Sequence, residues 1–210
     1  MIKSPKIKYL VSSHINYYKK TLPKIIPSLT SQISPKNIVV TIGGNSSGKD
    51  VGVETHWVPY NAFEYSSLIN VVELDYSDCD YVFLLHDTMI CGERFARLSM
   101  KADFTKNAIM AHEKAWCNLG AFKVSFLFSM KDLLLSMKDI SKEKAIILEG
   151  SFFGDYSTYE NPSVELLEDY QESPYGGNQR CPCRFNSVDV LKYGSNDSAR
   201  FRDGIINTDL

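Results

Sequence analysis

His86, Asp87 and Thr88 follow directly on five apolar residues in the segment YVFLLHDT at 81–88. A run of mixed β-branched, aliphatic and aromatic side chains reads as a strand buried on both faces, which puts the polar triplet at its C-terminal end. In open α/β sheets that end is where ligands bind. Asp87 is therefore the first candidate for handling a metal ion or a phosphate, with His86 beside it as a second ligand or a phosphate donor. The plain alternative is that Asp87 only caps the turn that follows it.

A second motif is GGNSSGK at 43–49, which has the G-x-x-x-x-G-K spacing of a phosphate-binding loop and follows the β-branched run Ile38–Ile42. It then departs from that motif. Asp50 stands where a Ser or Thr would hold Mg²⁺, and VGVETHWV reads as strand where a helix should begin. Backbone amides near Gly43 and Gly44 remain candidates for lining a ligand site. Asp78-Cys79-Asp80 is a literal D-x-D, but it precedes the strand and reads as a solvated turn.

Strands and helices alternate around these residues. Tyr9–Val11 reads as a first strand emptying into Ser12, Ser13 and His14. A helix follows, capped by Thr21, burying Leu22, Ile25, Ile26 and Leu29 and clipped at Pro27. His56–Val58 is a weaker strand, and Asn61 with Glu64 resembles a capping box opening a helix that ends near Leu74. Such alternation predicts an α/β fold with a mostly parallel sheet flanked by helices.

The second half is less regular. AFKVSFLF at 121–128 reads as strand, and helices are expected after Ser129 and after Ser141. Asn161-Pro162 should open a last short helix with Leu166 and Leu167. Loops are expected from Gln171 onward, with Tyr175–Arg180 as a mobile lid.

The 210 residues carry a formal net charge of -2 and 23% charged side chains, ordinary for a globular protein and without the basic excess of a nucleic-acid binder. The five cysteines are odd in number and unevenly spaced, which argues against a disulfide framework. No apolar stretch has the length of a signal or membrane segment, so a cytoplasmic protein is the expectation.

The order of strand with SSH, strand with TIGG, Asn61-led helix and YVFLLHDT resembles the small GT-A-type nucleotide-sugar glycosyltransferases, over roughly residues 8 to 90. The resemblance implies a single GT-A-like domain, Rossmann-related, with residues 1–90 holding the donor and 91–210 the acceptor side and closing loops. It implies that Ser12, Ser13, His14, Gly43, Gly44, Asn45 and Asn61 hold the nucleoside. The family's D-x-D would fall on His86, Asp87 and Thr88, binding Mn²⁺ or Mg²⁺ and the diphosphate through His86 and Asp87. Neither outer position is Asp here, so metal could be replaced by direct contacts to phosphate.

Lys192, Tyr193 and Gly194 resemble a loop closing over a nucleoside diphosphate, with Arg200 and Arg202 nearby in sequence. Glu149 in ILEG resembles the catalytic carboxylate, with Asp155 as its substitute; read plainly, Glu149 ends a helix in solvent. The implied activity is transfer of a sugar from a nucleoside diphosphate donor, UDP by family preference, to a saccharide hydroxyl, with inversion and a carboxylate general base. Two other readings stay open: a nucleotide kinase or phosphotransferase using GGNSSGK, and a sugar-nucleotide-binding module without catalysis.

Overall fold

The apolar residues ahead of His86 form the middle of a seven-stranded sheet. A computed structural model describes residues 4–113, 118–148, 152–154, 156–172 and 180–193. The large sheet contains β1 (Ile7–His14), β2 (Ile38–Gly43), β3 (Glu54–Val58), β4 (Tyr81–His86), β6 (Ala108–Met110), β7 (Gly120–Lys123) and β8 (Ser157–Thr158), in the order β3-β2-β1-β4-β7-β6-β8. The first four are parallel, and β7 runs antiparallel to both β4 and β6.

A second, four-stranded antiparallel sheet joins β5 (Met89–Cys91), β9 (Val164–Glu172), β10 (Arg180–Phe185) and β11 (Val190–Lys192) in the order β5-β11-β10-β9. The single central sheet expected from sequence is thus two sheets. Leu166 and Leu167 lie in β9, not in a helix. The segment expected as loops contains β10, which carries Pro182 where its register to β9 shifts, as proline in a strand requires. Of the lid expected at Tyr175–Arg180, residues 175–179 lie outside the described residues and Arg180 begins β10, paired with Glu172 of β9.

Tyr81, Val82, Phe83, Leu84 and Leu85 are all buried, because each face of β4 meets a separate apolar layer. Tyr81, Phe83 and Leu85 face α1 (Tyr18–Thr30) and the small sheet, together with Ile25, Leu29, Phe185 and Val190. Val82 and Leu84 face α2 (Tyr65–Glu73), α4 (Val124–Ser129) and α5 (Lys131–Ser136), together with Leu68, Leu127 and Leu134. Each such side chain contributes about 1.5–3 kcal/mol by leaving water.

Helix α1 begins earlier than its sequence suggests and runs through Pro27. Its buried stripe of Leu22, Ile25, Ile26 and Leu29 outweighs the lost backbone hydrogen bond. Thr21 is consequently inside the helix and not its cap. VSFLFS is helical as well, so the strand expected across 121–128 stops at Lys123. A short helix, α3 (Phe95–Ser99), follows β5, and α6 (Lys142–Leu148) opens after Ser141, whose Oγ accepts from the Lys144 amide at 3.3 Å.

Glu54 at the edge of the large sheet gathers three partners. It accepts from Lys8 Nζ at 2.7 Å and from the Tyr76 hydroxyl, and it meets His56 Nε2 at 2.9 Å. Burial alone would raise its pKa, but the hydrogen bonds from Lys8, Tyr76 and His56 prevail and bring it down to about 2. A depressed carboxylate stabilises the fold above its unfolded pKa, and that contribution disappears as pH falls from about 4.3 toward the folded value. Glu54→Gln should therefore lower stability by about 1 kcal/mol at neutral pH, given its partial exposure, and by almost nothing near pH 2. Urea midpoints at the two pH values check this.

Candidate active site at the ends of β1 and β4

The chain places β2 and β3 on one side of β1 and then crosses to place β4 on the other. At such a reversal the connections leave for opposite faces, here α1 on one and α2 on the other, and a crevice opens beyond the strand ends. A cleft of about 380 Å³ lies there, lined by Ser13, His14, Asn61, Phe63, Asp87 and Lys142 among others. Ser12 and His86 also border it.

Asp87 is held from both flanking elements. Its Oδ2 accepts from the Ser13 hydroxyl of β1 at 2.6 Å and from the Thr21 hydroxyl of α1 at 2.8 Å. Thr21 also lies 3.2 Å from the Tyr17 carbonyl, but its single proton favours the charged acceptor. The Asp87 amide donates to the Ser12 carbonyl at 3.1 Å. A carboxylate so anchored is fixed in direction and presents negative charge to the cleft wall.

Ser12 points the other way. Its hydroxyl meets the Glu64 carbonyl at 2.9 Å and Ser67 Oγ at 2.7 Å, so it ties β1 to α2. His14 borders the cleft and packs against Tyr17, ring centres 5.8 Å apart. Burial lowers its pKa below the usual histidine value, with the Asp87 charge opposing that shift.

The small sheet contributes from the far side of β4. Lys192 of β11 pairs in register with Met89 of β5, and the Tyr193 amide donates to the Thr88 carbonyl at 3.0 Å. These bonds bring the buried Lys192 Nζ to 3.2 Å from both His86 Nδ1 and Thr88 Oγ1. An ammonium has only donors, so the imidazole nitrogen is the acceptor. Lys192 was expected in a loop; a strand places it.

The glycine-rich segment does not behave as a phosphate loop. The Gly44 amide donates to the Tyr60 carbonyl at 3.0 Å and the Asn45 amide to the Val58 carbonyl at 3.1 Å, so these donors are spent within the fold. Asn45 closes on its own loop through Ser46 and Ser47. No helix begins after Lys49; the next one starts at Tyr65. Gly43 instead lets the chain before α2 approach, since a Cβ there would sit 2.8 Å from the Tyr60 carbonyl. That approach carries Asn61 to the cleft. Asn61 Oδ1 accepts from the Phe63 amide at 3.2 Å, a turn contact and not the expected capping box.

Gly44 lies under His14: its φ is +89°, and a Cβ would fall 2.6 Å from His14 Nε2. Gly44→Ala should cost about 1–3 kcal/mol from backbone strain alone, and more from displacing the ring. Gly52, with φ +88° and nothing within 4 Å, provides the comparison. Denaturant titration should show a larger loss for Gly44→Ala than for Gly52→Ala, the excess measuring the His14 contact.

Lys142 and Asn118 were not singled out in sequence. Lys142 opens α6 and holds its Nζ 4.5 Å from the centre of the Phe63 ring, on the cleft. Asn118 lies two residues before Gly120, the last β7 position paired with β4, and so at the same end of the sheet as His86. It has φ +49° and is wholly buried; its Nδ2 donates to the Tyr65 hydroxyl at 3.3 Å, and its Oδ1 has no partner among the described residues. Asn-Leu-Gly ahead of a strand is a turn signal that could have flagged it.

No protein-family model and no curated protein matches the chain. A solved structure is similar in chain course. It is the crystal structure of the glycosyltransferase GlyE of Streptococcus pneumoniae TIGR4, matched at 12% identity over 75% of this chain with a TM-score of 0.46. The present chain spans 46% of that one.

Among the described residues no group of three or more His, Cys, Asp or Glu converges, so no Mn²⁺ or Mg²⁺ site built from protein side chains alone is formed there. Asp87 already accepts two hydroxyls on one oxygen, and His86 Nδ1 faces the Lys192 ammonium. Glu149, Asp155 and Arg200 lie outside the described residues. Among the described residues, no helix is long and apolar enough to cross a membrane.

Proposed function

We propose that the chain is a GT-A-like glycosyltransferase that binds a nucleoside diphosphate sugar in the cleft at the ends of β1 and β4 and passes the sugar to a saccharide hydroxyl. The observation that carries this reading is an anchored carboxylate on the cleft together with an anchored ammonium beside His86, which borders the same cleft. A carboxylate, Asp87, is anchored by Ser13 and Thr21, and a lysine, Lys192, is anchored beside His86 and Thr88. A sugar nucleotide needs both: acceptors for its ring hydroxyls and a cation for its diphosphate.

In this reading residues 1–90 supply the donor lobe, through Ser13, His14, Asn61, His86, Asp87 and Thr88. The rest of the chain supplies Lys192, Lys142 and the acceptor side. Glu149, with Asp155 as substitute, takes the proton of the acceptor hydroxyl as its oxygen bonds to the anomeric carbon. The bond from that carbon to the diphosphate oxygen breaks on the opposite face, which inverts the centre, and the diphosphate leaves with its electrons. Arg200 is assigned to the phosphates. UDP is the proposed nucleotide.

The test is turnover. Release of nucleoside diphosphate from a panel of UDP-, GDP- and dTDP-sugars, with a mixture of saccharide acceptors, should occur for one donor class and require an acceptor. Release from none, together with phosphate transfer from ATP, would favour a phosphotransferase. Lys49 separates the two directly. Lys49→Ala should leave sugar-nucleotide binding within about twofold, because an exposed lysine on a loop without a following helix makes no anion cradle. Isothermal titration checks this.

A further inference from the structure

We infer that Lys192 takes the place of a divalent cation at the diphosphate, so that donor binding is independent of metal; this rests on the proposed sugar-nucleotide reading. The argument is positional and electrostatic. A metal bridging the diphosphate at the end of β4 would have to be held by His86 and Asp87. The Lys192 ammonium already lies 3.2 Å from His86 Nδ1 and 3.2 Å from Thr88 Oγ1, at that same strand end. It donates to one of the two imidazole nitrogens of His86, and its positive charge repels a dication within a few ångströms.

Its placement is rigid. Lys192 is 7% exposed, lies in a strand paired through Val190, Leu191 and Lys192 to β5, and is followed by the Tyr193–Thr88 backbone bond. That rigidity matters because a mobile surface lysine would screen a phosphate only weakly, whereas a buried, pre-positioned ammonium acts in a medium of low dielectric. Asp87 is then released from ligation, consistent with its two hydroxyl donors from Ser13 and Thr21.

The experiment is isothermal titration of the whole chain with UDP, GDP, dTDP and CDP, each in EDTA and in MnCl₂, repeated for Lys192→Met and Lys192→Arg. The expected result is that the nucleotide that binds does so with a Kd changed less than about threefold by Mn²⁺. Lys192→Met should bind about 10- to 100-fold more weakly in both buffers, the range of one charged hydrogen bond, and Lys192→Arg should fall between. If Lys192→Met does not fold, as judged by circular dichroism, the wild-type comparison and Lys192→Arg decide. Tightening of more than about tenfold by Mn²⁺, or unchanged binding by Lys192→Met, overturns the inference and leaves the donor reading standing. Binding of no nucleoside diphosphate in either buffer overturns that reading, and this inference with it.

Discussion

An Asp87→Ala protein is expected to bind its sugar-nucleotide donor about 10- to 100-fold more weakly than the parent, the cost of losing a charged acceptor. It should also be less stable. Ser13 is buried and loses its acceptor when Asp87 is truncated, at about 1–3 kcal/mol for that unsatisfied donor, whereas Thr21 keeps the Tyr17 carbonyl at 3.2 Å. For a chain of this size that lowers the melting midpoint by roughly 2–12 °C. Asp87→Asn separates the two effects: the amide keeps an oxygen for Ser13 and Thr21 but lacks the charge. It should recover most of the stability and little of the binding. Equal recovery of both would reduce Asp87 to a structural tie between β1, α1 and β4.

The second large effect is expected at Glu149. If its carboxylate takes the acceptor proton, Glu149→Gln should lower kcat by about 10²- to 10⁴-fold while donor Kd stays within a factor of about three. Asp155→Asn made in parallel distinguishes the two carboxylates, since only the base should show this separation of turnover from binding. A flattened acid limb in the pH profile of the residual activity would mark loss of the titrating base. If both variants turn over normally, no carboxylate at either position serves as base.

The central strand and its polar end were legible because β4 is buried on both faces, which leaves an unbroken apolar run that no surface element shows. The parallel half was legible for the same reason in β1 and β2. The small sheet was not. β5 and β11 are three residues each, too short to show a period, and β10 carries Pro182, which argues against a strand until a bulge is seen to accommodate it. Leu166 and Leu167, adjacent after Asn-Pro, fit a helical turn as well as a strand.

Within the site, residue types were readable where the elements holding them were not. Lys192 was selected for its chemistry, but only the pairing of β11 with β5 brings it to His86. Thr21 reads as a helix cap because hydroxyls favour that position. In the fold its hydroxyl is used across the chain on Asp87, a contact 66 residues distant that no local pattern encodes. GGNSSGK is the opposite case, a motif whose spacing is right and whose amides are consumed by Tyr60 and Val58. A phosphate loop is made by the helix that follows it, and here β3 follows instead.

The most direct test of a donor site between β1 and β4 is the thermal midpoint of the protein in the presence of UDP-, GDP- and dTDP-sugars and of ATP, each with EDTA or Mn²⁺. Selective binding to the folded state raises that midpoint. The prediction is a rise of several degrees for one sugar-nucleotide class, equal in EDTA and Mn²⁺ and absent in Asp87→Asn. A rise with ATP alone, abolished by Lys49→Ala, would contradict it and move the site to the glycine-rich loop.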